Sequence, residues 1–428
     1  MQLLVLVLTV LVAVVGTILV LCSSGVSAGG KGSGQCRRPY DPCVNITESK
    51  SRKACYGNRL LALAERGNLC RVEELLNQHL QEAAFYVDFS EHSPGKKKGY
   101  TALLWAAEKN DTDLVYKLVE EYDSNVNHKS WSGWSALLLC VVNGNVECTE
   151  LLLNNSADPD IMTKGGSYHI GYTSIILAAW NRFSRIVKTL LEHKADVDAV
   201  TPKTNYSALY LAARNGDLQI VNHLVNSGCN INIQTSWGVT PLLVATYWGH
   251  IEVVKYLLSN GGDPNIQQIE GYTVLHKAVY YNHPTIVDAL IKRGDFDINI
   301  KSNNSYTALM LAVRNGDVKM VTKLIDNGAK VNPQDEKGYT ALMLAVRNGQ
   351  VSMVTKLLNA GADVNLQDET GRTAVHWAAG SRDVEVMKEL LAKCPDLTIH
   401  DDTKKTAVDI AKMEIISIIE GHNTGSCR

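Results

Sequence analysis

The chain has 428 residues, of which 45% are hydrophobic and 20% are charged, with a formal net charge of −2. This composition is typical of a folded globular protein and excludes a chain that is disordered throughout. Nucleic-acid binding requires a surplus of Lys and Arg, which is missing, so we expect no nucleic-acid partner. The length alone does not exclude an enzyme, because it accommodates two or three ordinary domains.

The N-terminus is a leader without any charged side chain in the first 30 residues, and residues 3–22 are almost entirely apolar. Val26 and Ala28 have the small-residue spacing that signal peptidase recognises, which predicts cleavage after Ala28. The apolar run is also long enough to span a bilayer, and the basic residues just beyond it favour a cytoplasmic C-terminal side. Residues 1–28 are therefore predicted to be a signal peptide or, alternatively, an uncleaved signal-anchor.

Residues 29–55 are predicted to be a cysteine-containing linker. The candidate disulfide cysteines are Cys36, Cys43, Cys55 and Cys70. Asn45 begins the sequon Asn-Ile-Thr and is the candidate glycosylation site. Cysteines and a sequon behind a leader favour an oxidising compartment, so we expect a protein of the secretory pathway that is secreted, or anchored by a single span if the leader is retained. The cysteine spacing does not indicate a zinc site.

The rest of the chain is dominated by an internal repeat of about 33 residues. Residues 306–316 and 339–349 are both YTALMLAVRNG. The same frame continues in both directions from ten opening positions, which are Gly99, Gly133, Gly171, Asn205, Gly238, Gly271, Ser305, Gly338, Gly371 and Lys404. A degenerate first unit covers roughly residues 56–78, so the pattern predicts about eleven units.

Each unit is predicted to form two short helices. In the unit that opens at Ser305, Thr307 is placed to cap the first helix, which ends at Asn315-Gly316. The second helix is predicted to bury Val318, Val321, Leu324 and Ile325. Two short helices cannot bury an apolar face alone, so neighbouring units must stack.

The repeated frame, Gly-x-Thr-Pro/Ala-Leu followed by Asn-Gly and Gly-Ala-Asp-Val-Asn, resembles the ankyrin repeat. Residues 238–265 and 338–365 carry it most fully, and the resemblance covers roughly residues 56–420. It implies an all-α solenoid of about eleven helix-turn-helix units with β-hairpin-like tips over residues 56–422, followed by a polar tail at 423–428. It also implies binding of a protein through the hairpin tips and a concave groove.

Little in the sequence indicates catalysis or a cofactor. Residues 29–55 are too few for a catalytic domain, and no phosphate-binding loop, His-Glu-x-x-His or Gly-x-Ser-x-Gly is present. His250, His276 and His376 stand where the ankyrin pattern itself tends to place His, which implies that their rings cap or bridge turns. We expect no enzyme, cofactor or metal.

Two further sets of residues are predicted to be structural. Cys140, Cys148 and Cys229 are interpreted as small, unpaired core residues rather than reactive thiols. The asparagines that recur at one phase are predicted to make turn hydrogen bonds, and they are Asn127, Asn232, Asn265, Asn299, Asn332 and Asn365.

The candidate binding surface lies at the ends of the first helices, where Trp, Tyr and Arg concentrate. These residue types are enriched at interface hot spots. The candidate partner-binding residues are Trp180, Tyr210, Arg214, Tyr247, Trp248, Tyr280, Tyr281, Arg314 and Arg347. The position after the repeat opening is aromatic in seven of nine units, and such a ring either packs against the next hairpin or joins the contact surface.

The sequence therefore predicts a non-catalytic, monomeric protein–protein interaction module of the secretory pathway. Two alternatives remain open. One is a cytoplasmic ankyrin scaffold tethered to a membrane by an uncleaved leader. The other is a toxin-like or matrix protein in which the stack serves as a structural rod. The identity of the protein partner is not encoded in the repeat pattern.

Overall fold

The computed structural model describes Cys43, Ile46 and residues 49–78, 88–90, 98–164, 170–381 and 383–423. The chain divides into two units, Met1–Thr47 and Glu48–Arg428. In the first unit, the backbone N–H of Ile46 donates to the Cys43 carbonyl oxygen at 3.2 Å. The predicted leader, Cys36, Asn45 and residues 424–428 lie outside the described residues.

In the described part of the second unit, the regular structure is helical and forms eleven pairs. The pairs are α1 Ser49–Glu65 with α2 Leu69–Gln78, α3 Ala102–Glu108 with α4 Thr112–Glu120, α5 Ala136–Val142 with α6 Val146–Asn154, α7 Ser174–Trp180 with α8 Ser184–Glu192, α9 Ala208–Asn215 with α10 Leu218–Asn226, α11 Pro241–Trp248 with α12 Ile251–Ser259, α13 Val274–Tyr280 with α14 Pro284–Arg293, α15 Ala308–Asn315 with α16 Val318–Asp326, α17 Ala341–Arg347 with α18 Val351–Asn359, α19 Ala374–Gly380 with α20 Val384–Leu391, and α21 Ala407–Ile410 with α22 Met413–Asn423. The eleven pairs confirm the predicted helix-turn-helix solenoid. The first pair begins before Tyr56, at Ser49, and Cys70 lies in α2.

From α3 onward each first helix is preceded by Ser or Thr, whose hydroxyl in most repeats satisfies a backbone donor of the first turn, although Thr173 makes no such bond. Thr307 has the predicted role, since its Oγ1 accepts a hydrogen bond from the Met310 N–H at 3.3 Å. Ala308, Leu309 and Leu311 behind this cap are all buried. Successive first helices pack against one another, and this contact produces the continuous core that a single repeat cannot form.

The second helix α16 buries a narrower stripe than the sequence predicts. In α16 the buried residues are Met320, Val321 and Leu324. Val318 is 36% exposed and Ile325 is half-buried, so their assignment to the buried face is wrong. At about 100° per residue, Val318 lies roughly 110° from the centre of the buried stripe, which explains its exposure.

The repeat register is confirmed by the backbone. All ten predicted opening positions have left-handed φ, from 51° at Asn205 to 82° at Gly133. Glycine is required at Gly338 for a second reason, because a Cβ atom there would lie 2.7 Å from the Cα of Asp368 in the next repeat. Left-handed φ and close approach of two backbones both favour a residue without Cβ.

The tips between helix pairs are tight turns joined in a ladder. The Asp335 N–H donates to the Tyr339 carbonyl at 3.0 Å, and the Glu336 N–H donates to the Asn304 carbonyl of the preceding tip at 3.2 Å. Regular strands are absent from the described residues, which contain two isolated β-bridges, Val200–Ser207 and His400–Thr406. The predicted hairpin-like tips are thus single turns with one cross-strand bond.

The recurring asparagines connect neighbouring repeats, which the prediction of turn hydrogen bonds did not anticipate. The Nδ2 of Asn332 donates to the Gly361 carbonyl at 3.2 Å, and its Oδ1 accepts from the Asp363 N–H at 2.8 Å. The local turn is closed by a different residue, since the Asn365 N–H donates to Oδ1 of Asp363 at 2.9 Å. These side chains therefore stabilise the stacking of repeats.

The histidine prediction is confirmed. The Nδ1 of His276 accepts hydrogen bonds from the N–H and hydroxyl of Thr273, at 3.2 Å and 2.8 Å, and its Nε2 donates to the Tyr306 carbonyl at 3.0 Å. His376 repeats this arrangement on Thr373, with Nε2 3.3 Å from the Lys405 carbonyl. Each ring thus caps its own helix and holds the next repeat.

Cys140 and Cys148 are buried as predicted, but the structure joins them in a disulfide. Their interpretation as unpaired core thiols is wrong because α5 and α6 place their Cα atoms 5.8 Å apart, within the range that a disulfide spans. Cys43, Cys55 and Cys394 are disulfide-bonded as well. Cys229 carries a free thiol whose pKa is raised to about 12 by burial.

Candidate protein-interaction surface

The structure places six of the predicted residues in one continuous row. We call this set the first-helix row, and it consists of Trp180, Arg214, Tyr247, Tyr280, Arg314 and Arg347, each at the last or next-to-last position of its helix. Because each first helix packs against the next, the side chains follow one another from repeat to repeat. Trp248 and Tyr281 adjoin the row directly.

Four of these residues form an aromatic cluster, which we define as Tyr247, Trp248, Tyr280 and Tyr281. The ring centroids of Tyr247 and Tyr281 are 4.6 Å apart, those of Tyr280 and Tyr281 are 4.8 Å apart, and those of Tyr247 and Trp248 are 5.2 Å apart. The rings meet edge to face, an arrangement that their quadrupoles favour. Trp248 is 43% exposed and Tyr280 is 37% exposed, so the cluster offers apolar surface to a partner.

Guanidinium groups cover aromatic faces on both sides of the cluster. The Arg214 guanidinium lies 5.6 Å from the ring centre of Trp180. The Arg314 guanidinium lies 5.5 Å from the ring centre of Tyr280 and 5.6 Å from that of Tyr306. Such cation–π contacts hold a long side chain in place and keep its donors pointed outward.

Tyrosines that follow the repeat openings lie beneath this layer of guanidiniums. The Arg347 guanidinium lies 5.1 Å from the ring centre of Tyr339. The Arg314 guanidinium lies 5.6 Å from the ring centre of Tyr306. Tyr100 and Tyr172 at the same phase are buried. The aromatic rings that follow the repeat openings therefore support the guanidiniums from below. The sequence predicted instead that they pack against the next hairpin or join the contact surface.

Arg214, Arg314 and Arg347 form no ion pair or hydrogen bond with another described residue through their guanidiniums. Other arginines nearby do: Arg182 pairs with Asp217 at 3.4 Å, and Arg372 pairs with Asp401 at 3.3 Å. A guanidinium carries five N–H donors in a planar fork. The three arginines of the first-helix row thus keep their donors available to a ligand.

Tyr210 differs from the other predicted residues. Its ring is stacked on Tyr206 with a centroid distance of 4.8 Å and an interplanar angle of 8°. Burial raises the pKa of Tyr210 to about 12. It occupies the helix position that His276 and His376 fill in their repeats, which indicates a packing role beside the first-helix row.

Trp237 and Trp377 also lie at this surface and were not predicted from the sequence. Trp237 is 49% exposed at a tip, and its ring centroid is 6.1 Å from that of Tyr206. Trp377 lies under Arg347, with 5.2 Å between the guanidinium and the ring centre. Trp237 directly precedes the repeat-opening Gly238. This position in the repeat predicts that it lies at an exposed tip. No comparable signal marks Trp377, because its partner Arg347 belongs to the preceding repeat.

The described residues contain no group of three or more His, Cys, Asp or Glu side chains placed to hold a metal ion. No helix in the described ranges has both the length and the apolar character needed to cross a membrane.

Stacked helix pairs, linked tips and an exposed row of Trp, Tyr and Arg define a repeat solenoid of the binding-module class. A family model described as ankyrin repeats in three copies matches six overlapping segments, which are residues 60–163, 103–201, 175–268, 209–302, 275–368 and 342–420. The chain belongs to the ankyrin-repeat family.

Several known proteins are similar to parts of the chain. The mouse B-cell lymphoma 3 protein homolog is 30% identical over 152 residues, covering 35% of this chain and 33% of that protein. Human transient receptor potential cation channel subfamily A member 1 is 26% identical over 232 residues, covering 54% and 18%. An ankyrin-repeat and KH-domain-containing protein of Caenorhabditis briggsae is 29% identical over 145 residues, covering 34% and 5%.

A solved structure is also similar. The crystal structure of the ankyrin repeat domain of Bcl-3 has 29% sequence identity and a TM-score of 0.47, and the match covers 50% of this chain and 97% of that chain. In the three sequence relatives named in the preceding paragraph, the segment that is similar to this chain makes up between 5% and 33% of the relative's own length.

Proposed function

We propose that this protein is a non-catalytic interaction module of the secretory pathway that binds a protein partner through the first-helix row and the adjoining aromatic cluster. The observation that carries the proposal is the exposure of Trp248 and Tyr280 between guanidiniums that form no ion pair or hydrogen bond within the described residues. Buried core positions are already filled by Leu, Val and Ala, so packing alone does not account for large aromatic side chains at this surface.

Placement in the secretory pathway is supported by the cysteines as well as by the apolar leader. The Cys140–Cys148 disulfide lies between two helices of a well-packed repeat, and Cys43, Cys55 and Cys394 are also bonded. Disulfides persist in oxidising compartments and are rare in the cytosol. A cytoplasmic scaffold tethered by the leader would have to keep these thiols reduced.

The binding surface is tested by site-specific photo-crosslinking. A photoreactive residue is introduced at Trp248 on the first-helix face and, as a matched control, at Tyr116, which is 52% exposed on the second helix α4. The full chain is incubated with extracellular fluid and crosslinked products are identified by mass spectrometry. We expect one dominant protein adduct from position 248 that is absent from position 116, and equal labelling at both positions would refute the proposed surface.

The compartment is tested separately on the protein from secreting cells. N-terminal sequencing that begins at Gly29, together with a glycosidase-sensitive glycan on Asn45, is the expected result. An intact Met1 without a glycan would instead support the tethered scaffold, which the apolar run of residues 3–22 favours.

A further inference from the structure

The charges along the first-helix row are of one sign. In the repeats that open at Gly171 through Gly338, the last two positions of each first-helix end hold three arginines and no Asp or Glu. Nearby carboxylates are already engaged: Asp217 and Asp317 cap helices α10 and α16, and Asp335 accepts hydrogen bonds from its own tip. The row therefore presents three guanidiniums with which no carboxylate of the described residues forms an ion pair.

The guanidiniums lie against aromatic rings and form no ion pair within the described residues. Arg314 lies against Tyr280 and Tyr306, and Arg347 lies against Tyr339. A guanidinium that is stacked on a ring loses little further conformational entropy when it binds a carboxylate in a bidentate manner. These arginines are thus preorganised for anionic groups of a ligand.

The spacing of the arginines indicates the shape of the ligand. Arg314 and Arg347 are on adjacent packed helices, whose axes are about 8–10 Å apart. A polyproline-type extended chain repeats every three residues with a rise of about 9 Å, so carboxylates at positions i and i+3 point to the same side at that interval. Arg214 lies three repeats further along, across the aromatic cluster, which corresponds to about nine residues of the same extended chain.

We propose that the occupant of the first-helix row is an extended acidic segment of another protein. Two carboxylates three residues apart bind Arg314 and Arg347, an apolar side chain contacts the exposed face of Trp248, and a further carboxylate binds Arg214. This inference rests on the proposed function and specifies the chemistry of its partner. The exposed carboxylates of Glu270 and Glu336 at the tips repel such a segment and confine it to the helix ends.

The test uses a fluorescent peptide that contains Glu-Pro-Pro-Glu, a central Leu-Trp pair and one further Glu about nine residues away. Its counterpart has Gln in place of each Glu. Fluorescence anisotropy is measured on the full chain, on Arg314→Gln/Arg347→Gln, and on Arg185→Gln/Lys188→Gln as a matched control on the outer helix α8. We expect the wild-type chain to bind the Glu peptide at least about tenfold more tightly than the Gln peptide, because charge-assisted bidentate bonds are lost with Gln.

The double variant at Arg314 and Arg347 should lose this preference, while the matched control keeps it and Arg314→Lys/Arg347→Lys keeps part of it. Equal affinity for the two peptides, or an unchanged preference in the Gln double variant, would overturn the proposal. Arginine-dependent binding to vesicles of phosphatidylserine and phosphatidylcholine, without binding of the Glu peptide, would also overturn it in favour of a lipid surface.

The two proposals fail in different ways. If the photo-crosslinker at position 248 still captures its partner in Arg314→Gln/Arg347→Gln with unchanged yield, the acidic ligand is wrong and the interface stands. If position 248 captures nothing that position 116 does not, the interface itself is wrong.

Discussion

The guanidinium of Arg347 lies 5.2 Å from the ring centre of Trp377, a residue of the following repeat. The indole Nε1 of Trp377 in turn donates to Oδ2 of the buried Asp368 at 2.9 Å, and Arg372 lies 5.4 Å from the same ring. The surface beyond Arg347 is therefore built jointly by two repeats. Binding and repeat stacking share residues here, so the two roles have to be separated by experiment.

Replacement of Trp248 and of Tyr281 by Ala is expected to separate binding from stability. Trp248 is 43% exposed and its ring meets that of Tyr247, so Trp248→Ala should weaken partner capture about tenfold or more and cost less than about 1 kcal/mol of stability. Tyr281 is packed between Tyr247 and Tyr280, so Tyr281→Ala should cost about 1–2 kcal/mol of stability. Urea unfolding measures stability, and co-precipitation of the protein that position 248 crosslinks measures partner capture. Tyr116→Ala serves as the control. Similar stability losses in the two variants would contradict this assignment.

Asp160→Asn is expected to stabilise the protein. Oδ1 of Asp160 accepts a hydrogen bond from the Asp196 N–H at 2.9 Å, and Oδ1 of Asn127 accepts one from the Asp158 N–H in the same way. Asn127 also donates through Nδ2 to the Ser156 carbonyl at 3.1 Å, which a carboxylate cannot do. The added bond should contribute about 1 kcal/mol at pH 7.

Burial raises the pKa of Asp160 in the folded state. The stability of the wild-type protein is therefore reduced once pH rises through that pKa and the buried carboxyl ionises. The advantage of Asp160→Asn should consequently shrink as pH falls and the native carboxyl becomes protonated. Urea unfolding at pH 7 and pH 4 measures this change. The reverse substitution, Asn127→Asp, should destabilise at pH 7, and a neutral result there would argue against the account.

Protonation of His276 is expected to weaken the fold under acidic conditions. Burial lowers its pKa from 6.5 to about 4 in the folded state. The neutral ring therefore contributes stability above pH 6.5 that is lost as pH falls toward 4, by up to about 3 kcal/mol. Other groups titrate in this range, so the relevant quantity is the difference between wild type and His276→Gln. Parallel pH profiles for the two proteins would show that His276 does not control this loss.

Gly216→Ala is expected to be more harmful than Gly228→Ala. Both residues have left-handed φ, 71° and 80°, so Ala should cost about 1–2 kcal/mol at either position. A Cβ atom on Gly216 would also lie 2.6 Å from the His250 ring, whereas one on Gly228 would meet nothing within 4 Å. The excess loss at Gly216 should be visible in urea unfolding. Equal losses would mean that His250 moves away without cost.

The Cys140–Cys148 disulfide should be recovered by non-reducing peptide mapping of the full chain. Its loss in Cys140→Ser/Cys148→Ser should lower stability by about 2–3 kcal/mol on the chain-entropy estimate for a short loop. Cys229 is the internal control, because its free thiol is half-buried and should be alkylated without reduction, although slowly since burial raises its pKa. Alkylation of Cys140 in the folded, unreduced protein would rule the disulfide out.

Much of the fold could be predicted because its signals are local. A left-handed residue such as Gly338, a hydroxyl cap such as Thr307 and a histidine bonded to its own helix cap such as His276 each act within a few residues. Their repetition fixed the register across the chain. The assignment of Val318 to the buried face was wrong because the face that a short helix buries depends on its neighbours.

The candidate surface was only partly predictable. The sequence indicated Trp180, Arg214 and Arg347 by residue type and phase, but it could not indicate that Tyr210 stacks on Tyr206 or that Trp377 supports Arg347. Side chains at equivalent positions of the repeat have the same place in every unit. Their exposure nevertheless depends on the size of the side chains in the adjacent repeats.

The sequence by itself determined the period, the helix pairs and the turns, since caps and left-handed positions act through bonds between residues close along the chain. Tertiary structure decided the contacts that join residues about 30 or more positions apart, which are the asparagine bridges between repeats and the guanidiniums stacked on rings of a neighbouring repeat. It also decided the pairing of Cys140 with Cys148 across two helices. Distances of this kind are set by how helices pack, and no local propensity specifies them.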